Sequence, residues 1–547
     1  MKQEELRYVS TNHTMEKQQT SNPLAEPVKG HVIVVNEEAR AATGEEHKLG
    51  IFEALSTYPK IVIWCMFLCL PIIGIQYDQT VMGAYYALPA FQQRYGRFVG
   101  GKFVIEVQWQ TAITMAGYLG QIFGALGVAL YPLDRFGPRR TLSAAVLGIT
   151  GCIFIQFFSQ SIEVLYAGEL LQGLLSGCFI VICVSYASEL APLALRGILS
   201  SYANLCAVMG QFIGTGVTFA FQGRLDQWAY RVPFAIQWWW CLLYFMFIWF
   251  TPESPYWLVR KDREEDAVKV LTRLSGRHDS EQDARNRVLV IRETNRMEKE
   301  MSQGATFIDC FRGANLRRTE ICVVAYIIQI WGGGAFQGYS TLFFELAGLP
   351  SKNAFALSLG TKAFAFTGTV LSWFILWRVG RRTLYCSGEA MLTVFLFLIG
   401  ILDVIPHYSS HPGLQYAQAV MLFLFSFVYD CTIGPVEYVL LGEISSTRLR
   451  GKTIAVALAI KAVFGIVNSV SMPYMMNSDH ANWRGKAGFL FGGMNLLFTL
   501  WAFMRIPETK GRTFEEIDLL FEMGVKARDF KKYLSDADFE EHQSSAG

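Results

Sequence analysis

The sequence predicts an all-α membrane protein: twelve transmembrane helices in two six-helix pseudo-repeats, with a cytoplasmic helical linker between them. Three observations predict it. The chain is 52% hydrophobic and only 17% charged, where an average soluble domain is about 25% charged. Its apolar residues come in blocks of about 20, the length that crosses a bilayer as a helix. And it repeats itself. The string Trp249-Phe250-Thr251-Pro252-Glu253-Ser254-Pro255-Tyr256-Trp257-Leu258-Val259 ends one apolar run in charge. Ile506-Pro507-Glu508-Thr509-Lys510-Gly511-Arg512 ends another, 255 residues on. Arg135-Phe136-Gly137-Pro138-Arg139-Arg140 is echoed by Arg378-Val379-Gly380-Arg381-Arg382 after 243 residues. Glu189 and Arg196, seven apart, are echoed by Glu443 and Arg450 after 254. Two similar halves embedded in a membrane are the ground plan of a transporter with its site between them.

In chain order, residues 1–55 are polar, carry no signal-peptide pattern, and read as a disordered cytoplasmic N-terminus. The first bundle, 56–251, holds apolar segments near 61–83, 109–131, 141–159, 163–188, 198–221 and 233–251. Residues 252–320 lack long apolar runs and read as a linker of short helices with polar outer faces. The second bundle, 321–506, holds segments near 321–344, 354–377, 383–404, 414–442, 453–476 and 486–505. Segments 1, 7, 8 and 10 each carry a polar interruption. Residues 507–547 form a partly helical tail. Arginine and lysine concentrate after segments 2, 4, 8 and 10 and in the linker, which places both termini in the cytoplasm. Arg94, Arg97 and Lys102 run against that bias and are outnumbered. Trp238-Trp239-Trp240 reads as a membrane-interface anchor, with sugar stacking the alternative.

The net charge of +2 is too small to suggest a nucleic-acid partner. The eleven cysteines lack metal-ligand or redox spacing and read as small core residues. No nucleophile–base pair, metal cluster or phosphate loop stands out, so no catalytic residue, metal or cofactor is expected. Nothing in the sequence calls for an oligomer, and a monomer is expected.

Ionisable residues inside spanning segments are costly and ordinarily face a cavity or a partner. Asp78 lies in segment 1, Glu169 in segment 4, Lys362 and Glu389 in segments 8 and 9, Asp430 and Glu437 in segment 10, and Lys461 in segment 11. A carboxylate exposed alternately to two solutions can ferry a proton where its surroundings favour the neutral form. Asp78 and Glu169 are the candidates, bordering a central cavity, with Lys461 as the cation that holds one of them ionised. A fixed ion pair that never titrates is the alternative. For Asp430 and Glu437, packing, gating and coupling all stay open. At the inner ends, Glu189 with Arg196 and Glu443 with Arg450 read as clamps between guanidinium and carboxylate, joined by Arg135, Arg139, Arg140, Arg378, Arg381 and Arg382. Such clamps would hold the halves together in one state and part in the other. Setting topology alone is the other reading. Gly332-Gly333-Gly334 in segment 7 marks a bend that closes over a ligand, or a close helix contact.

The Pro-Glu-Ser-Pro-x-Trp-Leu string at 252, the Pro-Glu-Thr-Lys-Gly-Arg-Thr string at 507 and the Arg-x-Gly-x-Arg-Arg loop at 135, with its Arg-x-Gly-Arg-Arg echo at 378, resemble the sugar porter family of the major facilitator superfamily, over about residues 55 to 525. Gly338-Tyr339-Ser340-Thr341-Leu342-Phe343-Phe344-Glu345, Pro473-Tyr474-Met475-Met476-Asn477 and Asn482-Trp483-Arg484-Gly485-Lys486-Ala487-Gly488-Phe489 bring it nearest to fungal maltose/α-glucoside permeases. Glu169 fits that subgroup, since hexose-type porters generally carry arginine there. The resemblance implies import of a di- or oligosaccharide with a proton by alternating access in the plasma membrane. A facilitative uniporter and a carrier of a non-sugar metabolite are the alternatives. It implies proton coupling at Asp78, and sugar contacts from Gln211, Gln329, Tyr339 and Tyr438. The chain departs at Ile330, where a second glutamine is usual, and at Ala335, where asparagine is. Gln337 and Asn468 are the residues that could restore those contacts. Gln337 sits eight residues after Gln329, about 80° round the helix. A ligand other than a simple hexose is therefore expected.

Overall fold

The computed structural model describes residues 56–532 except 57, 87, 100–101, 129, 191–192, 275–280, 283, 290, 293–305, 347–348, 407–410, 447–448, 477–480, 482 and 513. Some side chains within helices, Glu189, Arg196 and Ala335 among them, also lie outside the described set, as do the N-terminal segment 1–55 and the last 15 residues.

The first half runs α1 (Pro59–Cys69), α2 (Pro71–Tyr85), α3 (Pro89–Tyr95), a hairpin of β1 (Arg97–Val99) and β2 (Lys102–Val104), α4 (Val107–Phe123), α5 (Leu130–Phe136), α6 (Pro138–Phe157), α7 (Ile162–Leu190), α8 (Leu193–Phe221) and α9 (Trp228–Ile248). The linker carries α10 (Pro255–Arg260) and α11 (Glu264–Leu274). The second half runs α12 (Gly313–Trp331), α13 (Gly334–Gly338), α14 (Ser340–Leu346), α15 (Ser351–Arg378), α16 (Arg381–Val404), α17 (Pro412–Cys431), α18 (Ile433–Ile444), α19 (Arg450–Met476) and α20 (Ala487–Arg505), with α21 (Phe514–Glu522) in the tail.

These helices make twelve spans. Among the described residues, ten segments are long and apolar enough to cross a membrane unaided. The other two are spans 2 and 7, which are broken. Span 2 passes from α4 through a π-helical turn at Gly124–Val128 into α5. Span 7 stops at Trp331 and resumes at Gly334. Gly333 makes that break: its φ is +104°, and a Cβ there would lie 2.7 Å from the Phe425 ring. Only glycine fits both constraints. The break expected from the three glycines is thus present.

Packing repeats between the halves. Span 1 packs on span 5 as span 7 packs on span 11, through α2 with α8 and α12 with α19. Spans 2 and 4 pair as spans 8 and 10 do, and spans 3 and 6 as spans 9 and 12 do. Across the interface α8 lies on α15 and α4 on α19, a pair of contacts that exchange when six is added to each span number. The chain is a multi-pass membrane protein of two pseudo-symmetric six-helix bundles.

Little hydrophobic drive acts between helices in lipid, so close backbone approach matters more. Spans 2 and 4 meet at glycines: a Cβ on Gly173 would stand 2.3 Å from the Gly117 carbonyl oxygen, and one on Gly120 2.3 Å from that of Leu170. Gly173→Val is expected to keep the protein from reaching the membrane folded. Gly151→Ala, where a Cβ meets nothing within 4 Å, is expected to leave yield unchanged. Size-exclusion profiles of fluorescently tagged variants check both.

Candidate functional site

Inside the first half, α2 and α7 bring two acids together. Asp78 is 4% exposed and Glu169 7%. Gln237 on α9 donates to Asp78 Oδ1 at 2.8 Å, and Gln172 on α7 also reaches that carboxylate. Gln156 on α6 donates to Glu169 Oε1 at 2.8 Å. Each acid lies within the other's field. Among the described residues no lysine or arginine lies within salt-bridge distance of either; amides hold both. The sequence expected them to border a central cavity. In the structure both are buried and their amide partners all belong to the first bundle.

Lys461 is not with them. Its ammonium lies over the Tyr326 ring, 4.5 Å from the centroid, and the charge acting on it is Glu437. The reason is packing: Lys461 is on α19, which lies against α12, the helix of Tyr326. The expected partnership with Asp78 and Glu169 is corrected.

A second polar set lies on the interface between halves. On α8, Gln211 accepts from the Lys362 ammonium of α15 at 2.8 Å and donates to Gln76 Oε1 of α2 at 3.3 Å. Two helical turns away, Asn204 donates to Asp430 Oδ1 of α17 at 3.0 Å and to Thr369 Oγ1 of α15 at 3.2 Å. Gln329 on α12 reaches the hydroxyls of Tyr429 and Tyr438. Tyr339, at the joint of α13 and α14, lies near Tyr118 of α4, whose ring fills the space over Gly465. Asn468 Oδ1 is buried without a hydrogen-bond partner, an acceptor suited to a hydroxyl group, and the Gln337 side chain reaches the Asp430 carboxylate. So Gln211, Gln329, Gln337, Tyr339, Tyr438 and Asn468 sit on spans 5, 7, 10 and 11, where the second half meets the first. Lys362 was visible as a lone lysine in an apolar segment but had no role assigned. Asn204 was missed; its signal was the seven-residue spacing from Gln211, which puts both amides on one face.

The inner-end motifs form ties in duplicate. Glu253 accepts the backbone N–H of Arg139 at 3.2 Å, and Glu508 that of Arg381 at 2.8 Å. Each carboxylate thereby caps the N-terminus of span 3 or span 9, where the helix dipole favours an anion. Pro138 has no N–H to give, so the first half uses the next residue. Arg139 reaches the Trp249 and Thr251 carbonyls at 3.4 and 3.5 Å. Arg382, its counterpart, reaches those of Ile506 and Phe503 at 3.1 and 2.6 Å. Both guanidiniums cap the ends of spans 6 and 12. Burial pushes the Glu253 carboxyl up, against the lowering pull of the Arg139 N–H.

Glu443 is 5% exposed; it binds Arg381 Nη2 at 3.2 Å and accepts from Thr509 Oγ1 at 2.6 Å. Arg450 stacks on Phe514, 4.0 Å from the ring centroid. Arg135 donates to Tyr131 at 2.9 Å, and the Arg378 carbonyl accepts from Lys510 at 3.1 Å. The clamps were expected to join the halves. These contacts instead lie within one half or the other, because each arginine turn is folded back on the end of its own bundle. The Glu189 and Arg196 side chains lie outside the described residues.

Glu508→Ala removes the cap of α16 and is expected to cost about 1 kcal/mol, read as a lower unfolding temperature in detergent. Lys510→Ala, an exposed tie to one carbonyl, should shift it by less.

Similarity to known proteins agrees with this geometry. A model of the family "Sugar (and other) transporter" matches residues 64–521. The general alpha-glucoside permease of Saccharomyces cerevisiae is 36% identical over 514 residues, covering 92% of this chain and 83% of that protein. The maltose permease MAL31 of the same yeast is 38% identical over 502 residues, covering 90% and 81%. Among solved structures, the proton:xylose symporter XylE bound to 6-bromo-6-deoxy-D-glucose superposes with a TM-score of 0.72 at 22% identity, covering 85% of this chain and 100% of that one. The last establishes the fold. The family match and the permease identities show that the chain belongs to the sugar transporter family, on a fold shared with major facilitator superfamily transporters, and is a carrier rather than an enzyme.

Proposed function

We propose that the protein is a sugar:proton symporter that imports a di- or oligosaccharide, an α-glucoside such as maltose, by alternating access. The observation that carries the sugar class is the 36–38% identity to yeast α-glucoside and maltose permeases over nine-tenths of the chain. Coupling is supported by Asp78 and Glu169, two buried acids held by amides, with no described cation beside them. A lone buried anion in a bundle is so costly that the neutral, protonated form is the one such a site can carry through a closed state. Opening toward either side would return the acids to water and release the proton.

In this reading the sugar lies between bundle 56–251 and bundle 321–506, gripped by Gln211, Gln329, Gln337, Tyr339, Tyr438 and Asn468. The break at Gly333 lets α13 and α14 swing over it. The Glu443–Arg381 tie would steady the inner end of the second half as the halves part. The protein would act in the plasma membrane, and the excess of arginine and lysine in the linker and inner loops supports both termini and the linker 252–320 lying in the cytoplasm.

The test is uptake of radiolabelled maltose, trehalose, sucrose, cellobiose and glucose into cells that lack their own carriers. Maltose should accumulate against its gradient, alkalinise the medium as it enters, and accumulate less as the outside is made more alkaline. Asp78→Asn and Glu169→Gln should abolish accumulation while leaving exchange of labelled for unlabelled sugar. Sugar entry without alkalinisation would make the protein a uniporter. Gln211→Ala should raise KM roughly ten-fold, the scale of one or two hydrogen bonds lost.

A further inference from the structure

Lys362 has no place in the account above, yet it sits at its centre. It is 6% exposed, on a helix of the second half, with its ammonium bonded to the first. We propose that Lys362 is a movable strap between the halves, alternating between the Gln211 amide, from which a sugar hydroxyl displaces it, and the Asp430 carboxylate. This rests on the sugar-carrier reading but not on proton coupling.

A buried ammonium in a membrane bundle is expected to bond its carboxylate directly. This one does not. Its hydrogen bonds go to two neutral oxygens, Gln211 Oε1 at 2.8 Å and the Gln337 carbonyl at 3.4 Å. Asp430, whose charge acts on it, is held by Asn204 at 3.0 Å. So Lys362 has one partner in hand and a stronger one in waiting. A lysine stem, with four flexible carbons, can travel between them.

The partner in hand belongs to the other half. Gln211 is on α8 and Lys362 on α15, the two helices that meet across the interface. Gln211 Oε1 is also the acceptor that a sugar hydroxyl would need. Ammonium and sugar therefore compete for one atom, and binding the sugar breaks a tie between the bundles. The groups that face the pair are Gln76 on α2, Asn204 and Gln211 on α8, Gln337 on α13, Thr369 on α15 and Tyr429 on α17. None adds a charge, so the swap stays within a neutral lysine–aspartate pair. That suits an uncharged glycoside; an acidic sugar would hold the ammonium to itself.

The experiment compares Lys362→Met, Asp430→Asn and the double variant for initial rates of labelled maltose uptake, corrected for protein at the cell surface. Asp430→Asn removes the waiting carboxylate and leaves the ammonium on Gln211 and the Gln337 carbonyl, so KM should rise about ten-fold. Lys362→Met leaves Asp430 uncompensated and should lose transport. The double variant restores neutrality without the competitor, so its KM should fall several-fold below that of the unaltered protein. A double variant whose KM returns to the original value would mean a static ion pair and overturn the strap.

A second readout needs no sugar. In purified protein, amide hydrogen exchange in α8 and α15 should quicken in the double variant, and unchanged exchange would also overturn the proposal. If maltose uptake is absent even in the unaltered protein, the sugar reading fails, and the exchange measurement alone decides the strap.

Discussion

The constraint on which the structure depends is that the bilayer offers no hydrogen bonds. A polar group placed at membrane depth is costly unless it is answered from within the protein. Here the answers fall into two kinds. At the inner ends, carboxylates cap helix N-termini and guanidiniums cap helix C-termini, so the charges neutralise backbone dipoles. At mid-depth, where backbone groups are already paired along the helices, side-chain amides do the work. Gln156, Gln172, Gln237, Gln211 and Asn204 each reach a neighbour that would otherwise be a bare acid, amide or ammonium.

The first kind of answer is duplicated and the second is not. Glu253 and Glu508, and Arg139 and Arg382, occupy corresponding places, differing only by the one-residue shift that Pro138 forces. The mid-depth groups differ by half. The first half holds two acids with no described cation beside them. In the second, Lys362 lies within the field of Asp430 and Lys461 within that of Glu437. A repeated scaffold with unrepeated contents suits a carrier: the scaffold supplies the motion, and the contents supply what moves and what drives it.

Much of this was legible in the sequence because it rests on local pattern. Apolar blocks give spans, Gly332-Gly333 gives the break, and a string that recurs 255 residues later gives the repeat. What stayed hidden depends on which way a helix faces. Lys461 looked like a partner for Asp78 because both are charges in apolar runs. The rotation of α19 toward Tyr326 and Glu437 separates them, and periodicity in an almost wholly apolar helix does not fix that rotation. A related reason applies to the described inner ties, which run within a half rather than between halves. Glutamate and arginine seven apart mark the ends of neighbouring helices, but not whether the charges turn toward their own bundle or across to the other. Asn204 escaped notice because a single amide in a span resembles a packing residue until its two-turn relation to Gln211 is seen.

The placement of the ties bears on how the molecule moves. Glu443, 5% exposed, joins α18, α16 and the segment after α20 through one ion pair and one hydroxyl. Buried in this way, charge-assisted bonds are strong and costly to break. They stiffen the second bundle at its inner end, where the first has the Glu253 and Arg139 caps. The bonds described across the mid-depth interface are single: Gln211 to Lys362, and Asn204 to Asp430 and Thr369. Motion follows the weaker set. Two stiff bundles joined by a few exchangeable bonds will hinge at the interface rather than deform within, and a ligand with many hydroxyls can replace those bonds as they part. Under the proposed function the energy for crossing would come from contacts the ligand itself makes, and the amides of the seam between the halves would also be its grip.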